Sequence, residues 1–104
     1  MSVLQGVFLE EIKRLEKNIS SYEKMIESLP RGSIFIRQIG NNEYAYRKRK
    51  EKGKVVSEYL GLANSDDVKK QLMLSSEYKR IKNNIKIAKQ ELMKLKKAYK
   101  SYER

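Results

Sequence analysis

Seven cations, Arg37, Arg47, Lys48, Arg49, Lys50, Lys52 and Lys54, fall within 18 residues and interleave with Tyr44, Tyr46 and Tyr59. That combination suits recognition rather than bond-making. Lys and Arg neutralise phosphates and release condensed counterions, and Tyr rings stack on unpaired bases. A two-stranded ribbon carrying such residues also fits a DNA major groove. The candidate contact set is therefore Arg37, Tyr44, Tyr46, Arg47, Lys48, Arg49, Lys50, Lys52 and Lys54. The same residue types have a plainer use: cations keep edge strands soluble, and half-buried tyrosines make a small core for a thin sheet. Solvation alone does not require so large an excess of one sign.

Residues able to catalyse are scarce. The chain has no Cys and no His, which removes thiol nucleophiles, disulfides and imidazole zinc sites. There is no Walker-type glycine loop and no Ser-His or HExxH arrangement. The adjacent acids Glu10-Glu11 and Asp66-Asp67 lie at expected helix starts, where carboxylates offset the helix dipole. Acid–base or two-metal chemistry needs carboxylates that converge from separate elements. The sequence reads as a non-enzyme with no metal and no cofactor.

The 104 residues carry 24 Lys plus Arg against 13 Asp plus Glu, a net charge of +11. Residues 1–32 are neutral overall, residues 33–64 carry a net of +4, and residues 65–104 carry +7. The basic footprint thus lies in the centre and the C-terminal part. Acids at Glu10 and Glu11 and a short apolar run at Val7-Phe8-Leu9 argue against a signal peptide, and no stretch approaches the ~20 apolar residues of a membrane span. A cytoplasmic location is expected.

The elements that must carry the cations follow from periodicity. Phe8, Ile12, Leu15, Ile19, Tyr22, Ile26 and Leu29 alternate spacings of four and three, a coiled-coil-like seam ended by Pro30. This predicts a helix over 4–28. Leu74, Tyr78, Ile81, Ile85, Ala88, Leu92, Leu95, Tyr99 and Tyr102 repeat the pattern, behind the capping residues Asn64, Ser65, Asp66 and Asp67. This predicts a second helix over 66–102, with a break at Ser75-Ser76 as the alternative to one continuous rod. Between the helices the period drops to two. Ser33–Ile39, Glu43–Lys50 and Lys54–Leu60 read as strands, separated by Gly40-Asn41-Asn42 and Lys52-Gly53. A two-residue turn at Lys52-Gly53 sets Tyr46 opposite Tyr59 and Arg47 opposite Glu58. Alternation places Arg47 and Arg49 on one face of the sheet and Lys48 and Lys50 on the other. The expected fold is α+β in the order α-β-β-β-α: one domain over 1–104, an antiparallel helical hairpin capped by a three-stranded antiparallel β-meander.

Leu29-Pro30-Arg31-Gly32-Ser33, Tyr44-Ala45-Tyr46 and Gly53-Lys54-Val55-Val56-Ser57-Glu58-Tyr59-Leu60-Gly61 together resemble a pattern in small bacterial and phage proteins that set a basic, Tyr-rich meander between coiled-coil helices. A similar strand closing on Tyr-Leu-Gly occurs near the start of some insertion-element transposases. The resemblance covers about residues 29–61. It implies an origin among mobile elements or phages and a role near nucleic acid, and it carries no activity with it.

Two functions fit these residues. One is a nucleic-acid binder that grips DNA or structured RNA through the meander. The other is an inhibitor of a bacterial defence nucleoprotein nuclease, of the anti-CRISPR kind, acting by protein or guide-RNA contact. A second helix longer than the first would also leave Leu92, Leu95, Tyr99 and Tyr102 uncovered beyond about residue 91, a stripe that a homodimer would bury.

Overall fold

The computed structural model describes residues 2–103. Its elements are α1 (Val3–Glu27), β1 (Ser33–Ile39), β2 (Asn42–Glu51), β3 (Lys54–Leu62) and α2 (Asp66–Glu103), the α+β class and α-β-β-β-α order that periodicity predicts. No helix among the described residues is long and apolar enough to cross a membrane. The chain forms two compact units: residues 1–28 with 80–104, and residues 29–79.

The first unit is a pair of antiparallel helix segments. The start of α1 lies beside the end of α2: the Phe8 ring is 5.8 Å from Tyr99 and 5.7 Å from Tyr102, and the Ser2 and Tyr102 hydroxyls are hydrogen-bonded at 3.0 Å. Leu15, Ile19, Ile81 and Ala88 are buried, as the four-three seam requires. Ser2 caps α1, its Oγ accepting from the Gln5 N–H while Gln5 Oε1 accepts from the Ser2 N–H, a reciprocal box that the sequence reading, starting the helix at residue 4, misses. On the exposed side Arg14 Nε donates to Glu11 Oε1 at 2.9 Å, and that hydrogen bond holds the Glu11 carboxyl below its ordinary range.

This pairing corrects one expectation. The first helix does not run out near residue 91. Leu92, Leu95 and Tyr99 are half-buried, and Tyr99 and Tyr102 are covered from one side by Phe8. The α2 residues up to Lys79, Tyr78 among them, group with the sheet, so α1 is matched to the later part of α2 and reaches its end. The geometric ground for an overhanging dimer stripe falls away.

No break occurs at Ser75-Ser76: α2 is one helix of 38 residues, and Ser75 is buried within it. Two stripes run along this one helix. Val68, Gln71, Leu74 and Ser75 form their own buried or half-buried row, separate from the later seam. Ser65 caps the start, its Oγ accepting from the Val68 N–H at 3.3 Å, with Asp66 and Asp67 in the first turn.

The second unit holds the sheet, ordered β1-β2-β3 and antiparallel throughout. Tyr46 pairs with Tyr59 and Arg47 with Glu58, the register that a two-residue Lys52-Gly53 turn dictates. Both turn residues have positive φ, +50° and +79°, as a type I′ hairpin needs. The first turn is also shorter than expected: Gly40-Asn41 alone turns the chain, and Asn42 already belongs to β2. One residue breaks the regular ladder. Ala45 pairs with Gly61 while Tyr46 pairs with Tyr59, so Leu60 is an extra residue on β3, a β-bulge. Before β1, Gly32 adopts φ +96°, and a Cβ there would lie 2.6 Å from the Lys48 carbonyl oxygen. Only glycine lets the incoming chain pass this close to β2.

Candidate functional site

Pairing in the sheet sorts the candidate residues by face, because side chains alternate along a strand and directly paired residues share a side. On β2, Ala45, Arg47 and Arg49 point one way, and Tyr44, Tyr46, Lys48 and Lys50 the other.

The Ala45 face meets the first turns of α2. Ala45 and Val68 are fully buried, and a Cβ at Gly61 would sit 3.6 Å from Val68 Cγ2. Arg47 is only 9% exposed and its guanidinium donates to the Gln71 side-chain carbonyl. Its charge is thus committed inside the unit, and Arg47 is removed from the set of phosphate contacts that the sequence proposes. Arg49 lies farther out on the same face, with guanidinium nitrogens 3.8 Å from the carboxylates of Glu51 and Glu58. Those acids offset much of its charge locally. Lys54 pairs with Glu51 beside the second turn, and Lys52 occupies the turn itself. Neither stands among the tyrosines.

The opposite face carries the rings. Phe35, Tyr46 and Tyr59 sit in one row across the three strands, since Phe35 pairs with Tyr46 and Tyr46 with Tyr59. Phe35 and Tyr46 are stacked, centroids 5.4 Å apart and planes 17° from parallel. Tyr59 is tilted against both Tyr46, at 5.6 Å, and Tyr44, at 6.1 Å. The four rings touch, yet Tyr59 remains 56% exposed. Arg37, paired with Tyr44, reaches back so that its guanidinium carbon lies 5.7 Å from the Tyr46 ring centroid, a cation–π distance. Lys48 and Lys50 continue the same face beyond Tyr46, both exposed, with Ser33, Ser57 and Val55 as their pairing partners.

Of the nine expected contact residues, Arg37, Tyr44, Tyr46, Lys48 and Lys50 therefore share one surface, and Arg47, Arg49, Lys52 and Lys54 do not belong to it. Two ring residues were missing from the expected set. Phe35 lies on β1, outside the basic run. Tyr59 lies on β3, beyond the basic run. Their signal was present in the register, because each is paired with Tyr46.

A surface of this kind can hold a flat, apolar group against the rings while its cations neutralise anions alongside. Among known proteins, no curated protein and no solved structure matches the chain. A family model described as a domain of unknown function, DUF6788, matches residues 8–70. That span takes in most of α1, the whole meander and the first turn of α2. Because the match covers 63 of the 104 residues (8 through 70), the chain belongs to the DUF6788 family.

Proposed function

We propose that this protein is a non-enzymatic nucleic-acid-binding protein whose ring-bearing sheet face holds an unpaired strand. The observation that carries this reading is the row Phe35-Tyr46-Tyr59, with Tyr59 more than half exposed and Arg37, Lys48 and Lys50 on the same face. An unpaired base offers its flat face to such rings, at about 1–3 kcal/mol per stacked base. A duplex keeps those faces inside its own stack and meets only the cations. The net charge of +11 supports the electrostatic part.

The test is fluorescence anisotropy of labelled single-stranded and duplex oligonucleotides at two salt concentrations. Single strands are expected to bind more tightly, with Tyr59→Ala weakening them about tenfold or more and leaving duplex affinity little changed. Changing Lys48 and Lys50 to Glu is expected to weaken both and to flatten the salt slope of single strands by roughly 0.7 per lost phosphate contact. Equal affinity for duplex and single strand, together with indifference to Tyr59→Ala, would overturn the stacking role. Failure to bind any nucleic acid would turn the search towards a protein partner.

A further inference from the structure

At one end of the sheet the β1–β2 turn and the β3–α2 turn come side by side. The Ala63 N–H donates to the Glu43 carbonyl at 2.9 Å and ties the second turn to β2. Between the turns lies an open cleft of about 390 Å³, within the size range of small-ligand sites. Its lining is unusual in type: the carboxamide residues Gln38, Asn41, Asn42 and Asn64, with Glu43 as the one charged residue. Turn formation explains Asn41 or Asn64 singly, but it does not explain amides contributed by β1, both turns and β2 around one space.

Carboxamides present a donor and an acceptor side by side, the geometry that matches the edge of a nucleobase. The cleft also adjoins the ring cluster. Asn42 Nδ2 donates to the Tyr44 hydroxyl at 3.5 Å, and Leu62, which lines the cleft, pairs with Tyr44. Gln38 and Glu43 pair with each other and alternate with Arg37 and Tyr44, so their side chains stand on the Ala45 face. A strand stacked on Tyr59 and Tyr46 reaches them by turning over the end of the sheet, past Tyr44 and Asn42.

We infer that this cleft reads the hydrogen-bonding edge of one unpaired nucleobase and selects bases that bear an exocyclic amino group. The selection follows from Glu43. An ionised carboxylate only accepts hydrogen bonds, so it welcomes the amino group of cytosine and opposes the carbonyl that uracil presents at the same position. The inference rests on the reading of the sheet face as a single-strand platform.

Cytosine and uracil are the informative pair, because their rings are of equal size and differ at that position. The experiment compares twelve-nucleotide oligo-C and oligo-U RNA binding to the full chain and to two variants, Glu43→Gln and the double variant Asn41→Ala with Asn64→Ala. Asn41, unlike Gly40, has no positive φ, so alanine is compatible with its turn. Wild type is expected to prefer oligo-C about tenfold. Both variants are expected to bring the two affinities within about twofold while keeping the helical circular-dichroism signal. A preference that survives in both variants overturns the inference. Equal wild-type affinities that both fall in Tyr59→Ala overturn it too and leave the platform standing. If wild type binds neither RNA, the platform reading fails and the cleft reading fails with it.

Discussion

Arg47 on β2 donates its guanidinium hydrogen bond to the side-chain carbonyl of Gln71 on α2, so the most buried cation of the basic run joins the sheet to the helix behind it. The Arg47→Glu substitution is accordingly a stability variant. It replaces a donor by a carboxylate facing an acceptor in a part-buried place, and a loss of about 1–3 kcal/mol is expected. Lys48→Glu, on the exposed ring face, is expected to leave stability within about 0.5 kcal/mol. Urea unfolding followed by circular dichroism separates the two; equal stabilities would show that Arg47 is not structural.

The two glycines preceding and following β1 make different demands. Gly32 combines φ +96° with a Cβ position 2.6 Å from the Lys48 carbonyl, whereas a Cβ at Gly40 meets nothing within 4 Å. Gly32→Ala is expected to cost about 1–3 kcal/mol, and Gly40→Ala closer to 1, from backbone strain alone. The same unfolding measurement gives the order, and a reversed order would contradict the close approach at Gly32.

Ile81 is fully buried in the helical unit, while Met93, on the same helix, is 61% exposed. Ile81→Ala removes packed methylenes and leaves a cavity, with an expected loss of about 2–5 kcal/mol. Met93→Ala is expected to change stability by less than about 0.5 kcal/mol. Comparable losses at both positions would place the seam elsewhere on α2.

Tyr99 gives the helical unit a dependence on alkaline pH. Burial is the main cause that raises its phenol above the ordinary value, with the Glu103 charge and a hydrogen bond to Glu103 adding to it. A raised folded-state value means that the folded chain holds this proton more tightly than the unfolded chain. The associated stability is fully present below the unfolded value of about 10, at which free tyrosine is half ionised, and is lost as pH rises through the higher folded value. Thermal melts between pH 8 and 11 are expected to show a steeper alkaline decline for wild type than for Tyr99→Phe. Parallel declines would remove Tyr99 as the cause.

The elements were legible because their signals are local. Pro30 ends α1 and Ser65 with its acids starts α2. Lys52-Gly53 sets the β2–β3 register to the residue, since a type I′ turn leaves one pairing for Arg47 and Glu58. The use of each face was less legible. Alternation separates Arg47 from Lys48, but cations stand on both sides, so it does not say which side the helix covers. Ala45 held the clue: a fully buried alanine between two tyrosines marks where a backbone comes close. The amide cleft was hidden for another reason. Asn41, Asn42 and Asn64 read as turn and cap residues one by one, and only the hydrogen bond from Ala63 to Glu43 brings the two turns together.

The extra residue at Leu60 means that β3 is read in two frames. Before it, odd-numbered Tyr59 faces the rings; after it, even-numbered Leu62 does, because Leu62 pairs with Tyr44. The frame shift lets a tyrosine of the ring cluster and a wall of the amide cleft stand on the same side, three residues apart rather than two or four. Deleting Leu60 would return β3 to a single frame in which Tyr59 still pairs with Tyr46, Gly61 with Ala45 and Leu62 with Tyr44, so the ladder becomes regular and both side chains stay on the ring face. What the extra residue supplies is local bend and twist between Tyr59 and Leu62, so its deletion is expected to flatten the sheet between platform and cleft while every pairing is kept.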